Sequence, residues 1–161
     1  MDGRTIGKIL SKRIGKYFKG VFSFDEWRSL PLSKQPVAYV FNTEPRHIEF
    51  GHWIGIYVDG KGNATFFDSF GRSPESLGFA QFLVKHSKTW KYNNLFIQNP
   101  LTAVCGQHVI FFLIKAHANE KTTWISNFSS DLLNNDNLVH KMIEKTFKVH
   151  VPFFPNIEFM M

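Results

Sequence analysis

A chain of 161 residues with 43% apolar content and 18 phenylalanines has enough large side chains to bury one core, which excludes a disordered tail. Its single cysteine excludes an intramolecular disulfide framework and any multi-cysteine zinc site, and points to a reducing intracellular compartment. The formal charge of +6 is unevenly spread: Arg4, Lys8, Lys12, Arg13, Lys16 and Lys19 precede any acid after Asp2, a pattern that suits a polyanion or simply a solvated basic face.

In chain order, Ile6, Ile9, Leu10, Ile14 and Tyr17 recur at helical spacing, predicting an amphipathic helix over Thr5 to Phe18 with Lys8, Lys12, Lys16 and Lys19 on another face. Gly20 is expected to end it. Ser23 to Arg28 reads as a short capped turn, and Pro31 and Pro36 keep the next stretch from becoming helical. Val37 to Phe41 and His52 to Val58 are β-branched and aromatic, the signature of strands. Asp59 to Asn63 is turn chemistry, so the second strand should form a hairpin with Ala64 to Phe67. A helix is expected from Ser73 through His86, with Pro74 at its first position. A short strand is expected over Leu95 to Gln98. Cys105 to Ala118 is apolar nearly all round and predicts a buried helix. Asp136 to Phe147 reads as a last amphipathic helix, and His150 to Met161, with Pro152 and Pro155, as an extended tail. Strands grouped between helices predict an α+β domain, with residues 1–161 forming one unit. No run approaches the roughly 18 apolar residues of a membrane span, and the first residues lack the apolar core of a signal peptide. The expectation is a protein that is not secreted and meets no membrane.

Chemistry concentrates at Cys105. A thiol at the head of a helix is stabilised as thiolate by the unpaired N–H groups and the dipole, and Gly106 would leave room for a substrate chain. A lone cysteine beside an apolar run is equally what a small core residue looks like, so its partners decide the matter. Of seven histidines, His52 stands apart, because it begins a strand beside Trp53 and can project from a sheet edge as a base. His108 falls one turn below Cys105, badly placed for that role. Asp68 ends the strand expected to pair with that of His52 and can orient the imidazole, although an Asp-Ser turn before Gly71 explains it as well. Gln98 can supply a side-chain N–H to an oxyanion beside the backbone N–H of Cys105, and taken alone would be an ordinary surface glutamine.

These residues, in this order, resemble the adenovirus-type cysteine endopeptidases (adenain-like proteases) of adenoviruses and Polinton-type elements. The resemblance runs from Lys16 to Gly20, through Ala38 to Thr43, Gly51 to Ile54 and Thr65 to Gly71, to Ile97 to Pro100 and Cys105 to Leu113. It implies a papain-like α+β fold, with a mainly antiparallel sheet packed on a buried helix headed by the nucleophile. It assigns Cys105 as nucleophile, His52 as base, Asp68 as orienting acid and Gln98 as oxyanion donor. The implied activity is cleavage of viral capsid or core precursors at glycine-containing sites during virion maturation. The implied setting is the virion and host nucleus, with the enzyme a monomer. DNA would be a cofactor held by Lys8, Lys12, Lys16 and Lys19, and an activating peptide could bind only noncovalently, because the second cysteine of the best-known members is missing. Ubiquitin-like-protein (SUMO-type) proteases share the order His-Trp, Asp, Gln, Cys but usually carry Asp before Cys-Gly, where this chain has Val104. A basic nucleic-acid-binding structural protein with a merely buried cysteine is the non-enzymatic alternative.

Overall fold

The structure is a computed structural model that describes residues 1–48, 50–119 and 125–154. Helix α1 (Gly3–Ile14) is capped by Asp2, whose carboxylate accepts the Thr5 N–H at 2.8 Å. It buries Ile6, Ile9, Leu10 and Ile14, as the spacing requires. It ends at Gly15, earlier than expected, and a strand, β1 (Phe18–Phe22), occupies the stretch around Gly20. That strand was not anticipated. Its partner is β2 (Val37–Asn42), a parallel pairing whose signal lies elsewhere in the chain.

Strands β3 (Trp53–Val58) and β4 (Asn63–Phe67) form the expected hairpin, with Asp59 accepting the N–H groups of Lys61 and Asn63 through its side chain. The order of the sheet is β1-β2-β3-β4-β5, its inner three strands antiparallel and each edge strand parallel to its neighbour. The fifth strand, β5, is Thr89–Tyr92 and not Leu95 to Gln98. Thr-Trp-Lys-Tyr pairs with β4, and beyond it the Asn93 side chain takes over the ladder, accepting the Asp68 N–H at 3.0 Å and donating to the Asp68 carbonyl at 2.6 Å. Residues 95–98 then run as irregular chain, with the N–H groups of Ile97 and Gln98 both on the Ser69 carbonyl.

Both faces of β2 are buried, which is why Val37 to Phe41 reads as a continuous apolar run without alternation. On one face lie α1, α3 (Cys105–His117) and, outside α3, α4 (Leu132–Phe147), joined in a core with Ala38, Val40, Phe67, Val109, Phe112 and Ile143. On the other lie a 3-10 turn at Phe24–Ser29 and the short helix α2 (Ala80–His86), packed with Tyr39, Phe41, Ile56 and Phe66. Helix α2 is half the expected length. Residues 73–79 form separate turns, and Gly78, at φ 80°, interrupts any helix begun at Ser73. Helix α4 starts a turn before Asp136, because Asp131 caps it by accepting the Asn134 N–H. The tail is irregular through Phe154, and the expectation of an extended chain to Met161 otherwise lies outside the described residues.

Candidate active site

Cys105 is the first residue of α3 and is half-buried. The N–H groups of the first helical turn have no intrahelical acceptor, so the sulfur sits in a positive field. Gly106 does not face an open cleft as expected. It lies against α1, where a side chain would press Ile6 Cδ1 at 3.1 Å, so its role is to let the two helices close.

His52 directly precedes β3. Its backbone is held across the sheet by Thr43, whose N–H donates to the His52 carbonyl at 2.8 Å and whose hydroxyl accepts the His52 N–H at 3.2 Å. Asp68 directly follows β4, latched by Asn93 as described. The β3–β4 pairing therefore carries base and acid side by side, with His52 Nε2 and Asp68 Oδ1 2.5 Å apart. The same imidazole interacts with the Cys105 thiol, each shifting the titration of the other. The ring that stacks on His52 is Phe70, with centroids 4.8 Å apart, and not Trp53, whose indole N–H donates to the Met1 carbonyl.

The turn after Asp68 makes a cage for its carboxylate. Gly71, at φ 68°, packs so close to the Leu95 backbone that a Cβ would lie 2.7 Å from its carbonyl carbon. This tight return brings the Phe70 N–H to Oδ1 at 3.2 Å, and the Arg72 N–H and Nε to Oδ2 at 3.1 and 2.7 Å. Burial opposes the charge on Asp68, but His52, Arg72 and these N–H donors outweigh it and bring its pKa down to about 2. Burial likewise opposes the imidazolium, yet Asp68 and Cys105 raise His52 to about 9. Burial pushes the Cys105 thiol up, while His52 and the Trp53 backbone N–H bring it below its ordinary value. The His52 and Cys105 shifts both run in the direction that favours a thiolate–imidazolium pair beside a fixed carboxylate.

Gln98 is buried in the loop between β5 and α3. Its Oε1 accepts the Ser69 hydroxyl at 2.6 Å and its Nε2 donates to the Thr102 carbonyl at 3.2 Å. The same nitrogen also reaches the Thr102 hydroxyl at 3.5 Å, a longer and weaker contact that a ligand oxygen can replace. Gln98, His52, Cys105, Trp53, Thr102 and Ala103 line one cleft of about 830 Å³. A larger hollow of about 980 Å³ lies at the opposite end of β3 and β4, against β5, and contains none of the four candidate residues. Lys8 and Lys12 are exposed on α1, Lys16 on the 3-10 turn that follows it and Lys19 on β1, so the four do not share one helix face as expected, and none lines the cleft.

Sequence reasoning missed the supports. Arg72 stands four residues after Asp68, a spacing that could have flagged it, whereas Ser69, Asn93 and Thr102 act through loop geometry with no local signal. His108, one turn below Cys105, is engaged by α4. It is fully buried and its Nε2 is 2.8 Å from Asp136 Oδ1.

No protein-family model matches the chain. No curated protein matches it either. Solved structures do. The ASFV pS273R protease aligns with a TM-score of 0.57 at 20% identity, over 87% of this chain and 66% of its own. ChlaDub1 from Chlamydia trachomatis aligns with a TM-score of 0.51 at 17% identity, over 68% of this chain and 58% of its own. The chain thus spans less than two thirds of the length of either structure, and what it shares with them is the α+β fold of papain-like cysteine proteases.

Proposed function

We propose that the protein is a cysteine peptidase with Cys105 as nucleophile, His52 as base and Asp68 as orienting acid, and with Gln98 and the Cys105 N–H as oxyanion donors. The observation that carries this reading is the His52–Asp68 contact of 2.5 Å at the head of the helix that presents the only thiol of the chain. The likeness of fold to a protease supports it.

In this reading the thiol proton passes to the imidazole and the thiolate adds to the scissile carbonyl. Asp68 holds the imidazolium by accepting its Nε2–H, so the ring presents its other nitrogen to the sulfur. The oxyanion is met by the Gln98 side-chain N–H, which exchanges its weak contact with the Thr102 hydroxyl for the substrate oxygen, and by the unpaired backbone N–H at the start of α3. His52 returns the proton to the departing amine, which leaves a thioester. Water then attacks that thioester with His52 as base, releasing the acid and restoring the thiol.

The substrates we infer are structural precursors of a virus or virus-like element, cut at glycine-containing sites in the virion or host nucleus. Two features support this over a ubiquitin-like-protein protease: Val104 in the place where those enzymes usually carry Asp, and the exposed basic face of α1. Lys8 and Lys12 on that face, with Lys16 and Lys19 in the turn and strand that follow it, are the proposed DNA contact, and any activating peptide would bind noncovalently to the monomer. The test is mass spectrometry of two substrates, a Gly-Gly-containing precursor peptide and a ubiquitin-like modifier with a C-terminal extension, each with and without DNA. Cutting of the peptide, faster with DNA, supports the viral reading. Cutting of the modifier alone would replace it with the deconjugating one, and no cutting of either would remove peptidase activity from the account.

A further inference from the structure

A second buried histidine–carboxylate pair stands one turn further along the nucleophile helix, between it and α4. His108 and Asp136 are both fully buried, three residues after Cys105 and in the second turn of α4 respectively. Asp136 spends only one oxygen on the histidine. Its Oδ2 accepts the Asn99 N–H at 3.1 Å and the Thr102 hydroxyl at 2.7 Å. The neighbouring Asn135 donates to the Ile97 carbonyl at 3.1 Å. The loop that carries Gln98 is therefore gripped on both sides by the first turns of α4, and Thr102, held by Asp136, supplies the carbonyl that fixes the Gln98 amide.

A fully buried carboxylate is costly unless its oxygens are satisfied, and packing alone would favour an apolar residue here. Its partners are the backbone and hydroxyl of the loop that carries Gln98 and a side chain on the nucleophile's own helix. We propose that Asp136 is a positioning residue for the oxyanion site: it sets the Asn99–Thr102 turn against α3, and so holds the side-chain amide of Gln98, which contacts both the carbonyl and the hydroxyl of Thr102, in place beside the start of α3. His108 completes it by donating Nε2–H to Oδ1, which leaves Oδ2 aimed at the loop. The inference rests on the peptidase reading and deepens it.

Two reactions of the same thiol separate this role from simple folding. Alkylation of Cys105 by iodoacetamide needs the thiolate and His52 but no oxyanion donors. Peptide hydrolysis needs both, and a misplacement of about 1 Å costs on the order of 10²-fold. Asp136→Asn and the milder Thr102→Val are each measured in both reactions, with Gln98→Ala and the double variant Gln98→Ala/Asp136→Asn beside them. The expected result is a fall in kcat of about 10- to 100-fold for Asp136→Asn and a smaller one for Thr102→Val. KM and the pH profile of alkylation should stay within twofold, and the double variant should be no slower than Gln98→Ala alone. Equal loss of alkylation and hydrolysis, unchanged kcat in both single variants, or full multiplicative loss in the double variant would each overturn the proposal. If Asp136→Asn does not fold, Thr102→Val alone decides. A wild-type protein that alkylates rapidly yet cuts no peptide would instead remove the peptidase reading on which the inference stands.

Discussion

Two histidine–aspartate pairs flank one helix, and their fates differ. His52–Asp68 sits at a cleft edge, the imidazole side chain 14% exposed, with a thiol interacting with the ring and Arg72 on the carboxylate. His108–Asp136 is sealed, both side chains 0% exposed, and His108 Nδ1 has no hydrogen-bond partner among the described residues. In the first pair hydrogen bonds and opposite charge overcome burial and raise the imidazole to about 9. In the second, burial outweighs the hydrogen bond and charge of Asp136, and His108 is held below its ordinary value, neutral at pH 7. A histidine beside a carboxylate is therefore not a dyad by virtue of the contact. What matters is whether the second ring nitrogen meets a group that ionises with it.

The largest expected effect breaks the comparison outright. Cys105→Ala and His52→Ala should each lower peptide turnover by roughly 10⁴-fold or more. His108→Gln should spare most of it, and a loss equal to that of His52→Ala would give the sealed pair the proton-transfer role. Next comes Asp68→Asn, expected to cost roughly 10²- to 10⁴-fold in kcat through the lost orientation of His52. The same change also touches stability. The folded carboxyl of Asp68 lies at about 2, below its ordinary 3.8. It therefore contributes stability above pH 3.8 that disappears as pH falls toward 2, on the order of 2 kcal/mol. Denaturant unfolding at pH 7 should show that loss in Asp68→Asn, and the gap to wild type should close at pH 2.

A third expectation sharpens the contrast without touching turnover. Imidazole NMR of the wild type should show His52 holding its proton until about pH 9 and His108 taking one up only below the ordinary 6.5 of an imidazole. The linked stability has opposite signs. The share due to His52 is complete below pH 6.5 and is lost as pH rises through 9, whereas that due to His108 is lost as pH falls below 6.5. The reverse order of titration would dissolve the distinction. Arg72→Gln should give a smaller effect, under about tenfold in kcat/KM, because the side chain is 42% exposed and solvent screens its charge on Asp68. Charge reversal at Lys8, Lys12 and Lys16 is expected to flatten the salt dependence of DNA binding. An unchanged slope, read by titration at several ionic strengths, would move any DNA contact off α1.

Much of the scaffold was legible because its signals are local. The Asp59–Asn63 turn, the capped Ser23 turn and the apolar helix after Cys105 each declare themselves within a few residues. Strand β1 was not legible, since Phe18 to Phe22 is short, follows a helical pattern directly and becomes a strand only through parallel pairing with β2. Strand β5 was misplaced for a related reason: Asn93 ends the ladder with its side chain, a role no periodicity records. The order of His52, Asp68, Gln98 and Cys105 was readable along the chain, and the hairpin predicted that the first two would meet. Asp136 was read only as the start of a helix. Its partners lie 28 to 37 residues away, and its burial follows from packing of α4 on α3.

The most direct test is the rate of Cys105 alkylation by iodoacetamide as a function of pH, in the wild type and in His52→Ala. A thiolate held by the imidazolium should react fast and nearly independently of pH from about 5 to 8, and His52→Ala should restore the rising profile of an ordinary thiol. A wild-type profile that already rises like an ordinary thiol, unchanged by His52→Ala, would contradict the pairing of His52 with Cys105 and the peptidase reading built on it.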